Sequence, residues 1–455
     1  MGIKKLIVFL PVIFWSVITA QENPNVLFLI VDDMNDHGFY KTVPEIKMPY
    51  LDKFKESAIV FENANCGSPV CTPSRAAVFS GLYPHTTGAY FNGCDPWNKS
   101  EILQKQETLP EMFKRNGYTT FGRGKLYHAK LSEGRLEKNF DNRPIYGGGF
   151  GPFPDEEHQI KGKFWGIQAF HDSIFPDVKN ADATIDFLNQ EHAQPFFCAL
   201  GLWRPHTPFT CPQRFYDLYN IDDIKLPPGY DENDLDDIPE IAKELLDPFG
   251  RFNPEDKQEW KKLLLAYYAC TSFADWNIGR VIEALDKSKY SENTIVVFWS
   301  DNGYHCGEKN HWEKNTLWEQ SAKTPMAIRL PDSSENGKKC QRPVNSVDLY
   351  PTLTELCGLN QHSKTDGNSL KPLLKQVETE WHPTITTFGE GFVSIRDERF
   401  RYIQYSDGSE ELYDHSIDPY EISNVYAKKE FEKILTNLRK HIPQKFAKEL
   451  PGRRN

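Results

Sequence analysis

The sequence predicts an α/β domain with a mostly parallel sheet, followed by a small α+β subdomain with a short antiparallel sheet. Three observations carry this expectation. Apolar runs alternate with helix-like segments from Asn25 to about Leu374, the texture that leads to parallel strands joined by helices. The first run, residues 26–31, is continuously apolar, as a strand buried on both faces requires. From about Thr384 the texture changes to short strands and turns.

Taken in order, the strand at 26–31 ends in Asp32-Asp33, and a short one at 118–121 runs into Gly122-Arg123-Gly124-Lys125. A third, 196–200, leads into Trp203-Arg204-Pro205-His206. The β-branched run 294–299 ends in Ser300-Asp301-Asn302-Gly303, and a fifth strand, 326–330, is bracketed by Pro325 and Pro331. Helices are expected at 48–57, 108–116, 182–190, 257–286 and 348–357, with an aperiodic Pro- and Asp-rich loop at 226–240. The C-terminal part reads as strands 384–388, 392–395 and 401–405 before a basic helix. Four of the first five strands thus carry polar groups just past their carboxyl ends. In open α/β sheets the binding crevice lies there. If those strands are parallel neighbours, Asp32, Asp33, Lys125, His206, Asp301 and Asn302 converge on one edge.

A chain of 455 residues can bury a sizeable core and divide into two or three domains. At the N-terminus, Lys4 and Lys5 precede an apolar run over 6–18 that closes on Ile18-Thr19-Ala20. This reads as a secretory signal peptide over residues 1–20, too short for a membrane span. Position 21 is not Cys, so no lipoprotein anchor is expected; the mature chain is read as periplasmic or secreted, with no membrane span. Removing two lysines and no acids takes the net charge from −11 to −13, which excludes a broad basic face for nucleic acid. An anionic substrate must then be held by a few local cations. Export permits disulfides, but nine Cys is odd. At least one is unpaired or chemically special, and the pairing is not readable.

The first chemical constellation is Cys71-Thr72-Pro73-Ser74-Arg75. Pro just inside a helix start places Cys71 at the N-terminal turn, where N–H groups and the helix dipole favour an anion. Arg75, about one turn on, can point back at the same spot. Taken singly, such residues are more often a buried thiol and a surface ion pair. The second is Gly117-Tyr118-Thr119-Thr120-Phe121-Gly122-Arg123-Gly124-Lys125-Leu126-Tyr127-His128. Its glycines allow close backbone approach, Lys125 supplies a point charge, and His128 can shuttle a proton. The third is the oxygen set Asp32, Asp33, Asp301 and Asn302, which suits a hard cation and not Zn²⁺. Without a cation, three converging carboxylates would raise one another's pKa. The fourth is His206 in Trp-Arg-Pro-His-Thr-Pro-Phe, with Lys314 closing Gly307-Glu308-Lys309-Asn310-His311-Trp312-Glu313-Lys314.

The C-x-P-S-R run, the G-Y-x-T-x-x-x-G-K-x-x-H run, and Leu412-Tyr413-Asp414 with Asp418-Pro419, Glu421 and Asn424 resemble type I, formylglycine-dependent sulfatases. The nearest branch is that of iduronate-2-sulfatase and choline-sulfatase, and the likeness runs from about 25 to 424. It implies an alkaline-phosphatase-like sandwich, with residues 21–375 as the catalytic domain and 376–455 as the C-terminal subdomain. It also implies that Cys71 is oxidised to formylglycine, by a formylglycine-generating or an anaerobic sulfatase-maturating enzyme. In such a centre Ca²⁺ is held by Asp32, Asp33, Asp301, Asn302 and the modified Cys71. Arg75 and His128 orient and deprotonate the nucleophile, Lys125 and Lys314 bind sulfate, and His206 protonates the leaving oxygen. Asn302 stands where the iduronate enzymes carry His, and Lys309 where His is common. The implied substrate is a sulfated oligosaccharide from glycosaminoglycan or algal polysaccharide, with a uronic acid as one of its options. Trp97, Trp203 and Arg204 lie on nearby loops to stack a sugar or pair its carboxylate, although ordinary packing accounts equally for Trp97. The alternatives are a phosphatase or phosphonate hydrolase of the same superfold, a choline-sulfatase-like enzyme for small molecules, and a non-catalytic glycan-binding protein.

Overall fold

The structure, a computed structural model, describes residues 23–142, 149–152, 165–168, 171–246 and 253–452. The segment read as a signal peptide lies outside them. Seven strands form the central sheet: β1 (Asn25–Asp32), β2 (Ile59–Phe61), β3 (Thr119–Gly124), β4 (Phe196–Pro205), β5 (Thr294–Ser300), β6 (Met326–Arg329) and β7 (Lys339–Cys340). Their order is β7-β2-β6-β5-β1-β4-β3. β5, β1, β4 and β3 run parallel, so the ends of four strands come to one edge as the sequence predicts.

The sheet is mixed rather than uniformly parallel, because β6 runs antiparallel to both its neighbours. Its apolar composition does not encode direction. The short strands β2 and β7, unforeseen, flank it at one edge, too brief to show a period.

β1 is buried along its whole length, and its side chains alternate between two cores. Leu27, Leu29 and Val31 pack with helices α4 (Pro176–Leu188) and α5 (Lys257–Lys287). Val26, Phe28 and Ile30 pack with α2 (Cys71–Ser80), α3 (Leu109–Arg115) and α6 (Leu349–Leu356). Alternation with period two therefore fixes a helix–sheet–helix sandwich. Helix α1 (Pro49–Lys55) joins the first layer through Leu51 and Phe54. α4 begins six residues before its expected start because Pro176 occupies the first turn, where a missing N–H costs nothing.

A four-stranded antiparallel sheet follows: β8 (Thr384–Thr387), β9 (Val393–Arg396), β10 (Phe400–Gln404) and β11 (Glu410–Asp414). The unpredicted β11 opens on Glu410-Glu411, which hid it from an apolar pattern. Helix α7 (Glu432–Leu438) covers this sheet with Leu435 and Leu438 against Val393, Ile395 and Leu412. All nine cysteines are buried free thiols. Among the described residues no helix is long and apolar enough to cross a membrane.

Candidate functional site

The pairing of Val31 with Ser300 sets the ends of β1 and β5 abreast, so Asp32-Asp33 faces Asp301-Asn302. Asp33 takes a left-handed backbone, φ 62°, which turns the chain sharply past the sheet. That turn is pinned from several sides. The Asp33 N–H donates to Asp301 Oδ1 (3.1 Å) and the Met34 N–H to Ser300 Oγ (3.0 Å). Tyr267 of α5 donates its hydroxyl to the Asp33 carbonyl (2.8 Å) and accepts the Asn35 N–H (2.9 Å). Sequence reasoning missed Tyr267, since one aromatic in a long helix carries no local signal.

Cys71 opens α2, a ten-residue helix buried throughout, with extended Val70 before it. Its Sγ lies 2.9 Å from Lys314 Nζ and 3.7 Å from Asp33 Oδ1. Burial, seconded by the Asp32 charge, pushes the Cys71 thiol well above its ordinary range, against Lys125 and Lys314. A neutral buried thiol is a poor nucleophile. Asn92 Oδ1 accepts the Thr72 N–H (3.0 Å), and the Thr72 hydroxyl donates to the His128 carbonyl (3.1 Å), which ties His128 to the helix start.

Three buried cations interleave the carboxylates. Arg75 donates through Nε to Asp301 Oδ2 (2.7 Å), through Nη2 to Asp32 Oδ1 (3.3 Å), and through Nη1 to the carbonyls of Lys125 and Leu126. With its donors committed to the framework, Arg75 braces the centre. Lys125 is salt-bridged to Asp32 and Lys314 to Asp33. Close backbone approach delivers Lys125: Gly124 has φ 72°, and a Cβ on Gly201 would sit 1.7 Å from the Lys125 carbonyl oxygen. Burial alone would raise the Asp32 pKa, but Lys125, Arg75 and Lys314 outweigh it and hold that carboxylate well below its usual range. The His311 Nε2 pairs with the Lys314 carbonyl (2.8 Å) and steadies that segment.

The oxygen donors fit a hard cation. One ligand atom each from Asp32, Asp33, Asp301 and Cys71 lie within 4.8 Å of one another. Asn302 donates Nδ2 to Asp33 Oδ1 (2.8 Å), while its Oδ1 is buried without a donor. A buried carbonyl oxygen left unpaired is costly, and a cation at this cluster would satisfy it.

His128 lies beside this cluster with Nδ1 buried and unpartnered. Burial, then Lys125, Arg75 and Lys314, hold its pKa well below the ordinary value, so the ring is kept neutral. His206 follows β4, its Nε2 3.6 Å from Asp33 Oδ2. Its Nδ1 is 2.5 Å from the Thr207 carbonyl, which can only accept, so Nδ1 carries a proton and Nε2 faces the centre. Burial lowers the His206 pKa, with Lys314 and Lys125 adding to the effect and Asp33 opposing it.

Two predicted contact residues do not join the cluster. Arg204 is 2 % exposed and spends its guanidinium on Thr210 and the Phe150 carbonyl. Trp97 is fully buried against Tyr127 and Arg135. Trp203 packs on Phe150 with centroids 4.4 Å apart, and Lys125 Nζ lies 5.5 Å from its ring. In the loop at 226–240, Asp234 pairs with buried Lys309 (2.6 Å).

A family model described as sulfatase matches residues 24–359, and one for the C-terminal part of N-sulphoglucosamine sulphohydrolase matches residues 307–448. A protein named sulfatase from Formosa agariphila is 37% identical over 451 residues, covering 93% of this chain and 87% of its own. An ulvan-active sulfatase from the same organism is 27% identical, over 93% of this chain and 81% of that one. Among solved structures, a phosphonate monoester hydrolase from Silicibacter pomeroyi superposes with a TM-score of 0.76 at 21% identity, covering 92% of this chain and 94% of that one. It shares the alkaline-phosphatase-like fold.

Proposed function

The chain belongs to the sulfatase family of sulfuric ester hydrolases, and from that premise we propose that it removes sulfate from a carbohydrate through a formylglycine formed at Cys71. The single observation that carries this is the setting of the Cys71 side chain. A fully buried thiol, its pKa pushed up by burial, sits at a helix start between Lys314 and Asp33 and is a poor nucleophile as it stands. Sγ there marks the place of an oxygen nucleophile. Formylglycine supplies a hydrated aldehyde for attack on sulfur, and Ca²⁺, which Asp32, Asp33, Asp301 and Asn302 would hold, supplies positive charge for the sulfate oxygens.

The chain's own residues do the rest. Lys125 and Lys314, each held on a carboxylate, bring two buried positive charges beside position 71. Such charge stabilises the equatorial oxygens of a transferring sulfuryl group, by the same electrostatic logic as in phosphoryl transfer. Neutral His128 takes the proton of the attacking hydroxyl. As the S–O ester bond breaks, its electron pair stays on the alcohol oxygen, and His206, once it has taken a proton from solvent at Nε2, passes that proton there. A lowered pKa makes the protonated ring a stronger acid and its protonated fraction smaller, so this step gains as the pH falls. Arg75 keeps Asp32 and Asp301 in register.

The substrate class rests on likeness: an ulvan-active relative and an iduronate-type motif set both favour a sulfated, uronate-containing oligosaccharide of algal or glycosaminoglycan origin. Residues 1–20 direct export to the periplasm or beyond, and a formylglycine-generating or anaerobic maturating enzyme is the required partner. The test is sulfate release, followed by ion chromatography, from ulvan and glycosaminoglycan oligosaccharides beside choline sulfate, a phosphate monoester and a phosphonate monoester. Sulfate from the oligosaccharides supports the reading. Turnover confined to choline sulfate or to the phosphorus esters would overturn it.

A further inference from the structure

We propose that Asp177 is a positioning residue: its carboxylate clamps the strand end that presents His206, and so governs proton delivery to the departing alcohol. The inference rests on the role given to His206 above. Asp177 is the second residue of α4 and is 2 % exposed. Its Oδ1 accepts the Trp203 N–H at 2.8 Å, and its Oδ2 accepts the Arg204 N–H at 3.0 Å. Two bonds from one rigid carboxylate to successive N–H groups fix both the place and the direction of the chain just before Pro205-His206.

The far side of the same turn is closed by Arg204. Its Nε donates to the Thr210 carbonyl (2.8 Å), and its Nη2 to Thr210 Oγ1 (2.7 Å) and the Phe150 carbonyl (2.8 Å). The Thr210 hydroxyl donates in turn to the Pro152 carbonyl (2.9 Å). His206 is thus held between two anchored points, with its ring centroid 4.6 Å from that of Phe150. Asp177 makes no hydrogen bond to any residue of the cation cluster. Burial pushes its pKa up to about 6, against Arg204 and the two N–H groups. A carboxylate kept buried at such a cost is explained by what it holds.

The role has a readout that a general loss of structure does not share. When the S–O bond breaks, the alcohol oxygen takes the electron pair and needs the His206 proton in proportion to its basicity. A sugar hydroxyl leaves poorly without it, whereas nitrophenolate leaves unaided. The experiment compares kcat/KM on a sulfated oligosaccharide and on 4-nitrophenyl sulfate for mature, calcium-loaded Asp177→Asn, Arg204→Met and His206→Ala, with Tm measured for each. Asp177→Asn and Arg204→Met should lose roughly tenfold or more on the sugar ester and less than about threefold on the aryl ester. His206→Ala should show the same selectivity at the hundred- to ten-thousand-fold scale of about 10²–10⁴ for a general acid. Equal losses on both esters, or none, alongside a selective His206→Ala, would overturn the inference and leave the His206 assignment standing. An unselective His206→Ala would overturn both. If Asp177→Asn does not fold, Arg204→Met decides the question alone.

Discussion

Two buried ion clusters, one around Cys71 and one around Glu319 and Glu421, differ in what their charges leave unmet. Around Cys71, three carboxylates meet Arg75, Lys125 and Lys314. Between the two sheets, Glu319 and Glu421 meet Arg396, Arg401 and His415, and their ligand atoms also lie close enough to hold a metal. The second cluster is satisfied from within. Glu319 Oε2 pairs with Arg401 and with Arg396 Nε (3.3 Å). Glu421 Oε1 accepts from Arg401 Nε (2.7 Å) and His415 Nε2 (2.8 Å), and Oε2 accepts the Glu319 N–H (2.7 Å). Arg396, a donor only, lies 3.0 Å from His415 Nδ1, so Nε2 carries the proton and neither ring nitrogen is left for a metal. At the first cluster Asn302 Oδ1 has no donor and Lys314 faces a neutral thiol. Unmet valence, not the gathering of acids, separates the site from the brace.

The sharpest break between them is at the nucleophile. Cys71→Ala should lower sulfate release by about a thousandfold or more with Tm nearly unchanged, read by ion chromatography and calorimetry. The converse holds for the brace. Arg401→Met leaves two buried carboxylates short of a partner and should cost about 3–5 kcal/mol in denaturant melts, while kcat/KM per folded molecule stays within a few-fold.

Calcium sharpens the contrast further. At a hundred times its Kd it should stabilise the chain by about 2.7 kcal/mol, an increment that chelation removes. Asp301→Asn should abolish that response, and Arg401→Met should keep it. The smallest effect belongs to Asp275, a buried carboxyl that makes no ion pair among the described residues. Burial raises its pKa from 3.8 to about 7, against the Leu51 and Tyr50 N–H groups it accepts. A raised folded-state pKa means that its contribution is fully present below pH 3.8 and is lost as pH rises through about 7. Asp275→Asn should flatten that part of the Tm-against-pH curve; an unchanged slope would contradict the assignment.

Much of the site was legible because its groups follow short buried strands or lie in contiguous runs. Asp32, Asp33, Asp301, Asn302, Lys125 and His206 needed only the rule that parallel strands share one edge. What stayed hidden depends on distant partners. Glu319 and Arg401 are 82 residues apart, and no periodicity says which buried charges will meet. Arg204 sits beside His206 in sequence, yet whether its guanidinium faces a ligand or its own turn is decided by Thr210 and Phe150. Likewise β6 reads as an apolar strand in either direction, so only its neighbours set it antiparallel.

The central claim is that position 71 works as an oxidised residue and not as a thiol. The direct measurement is the mass of the tryptic peptide spanning residues 56–75, from chain made together with a maturation enzyme, before and after thiol alkylation. The expected peptide is about 18 Da lighter than the Cys form, or its hydrate near the parental mass, with Cys66 alkylated and position 71 not. Two alkylated thiols in that peptide, from a preparation that releases sulfate, would contradict it.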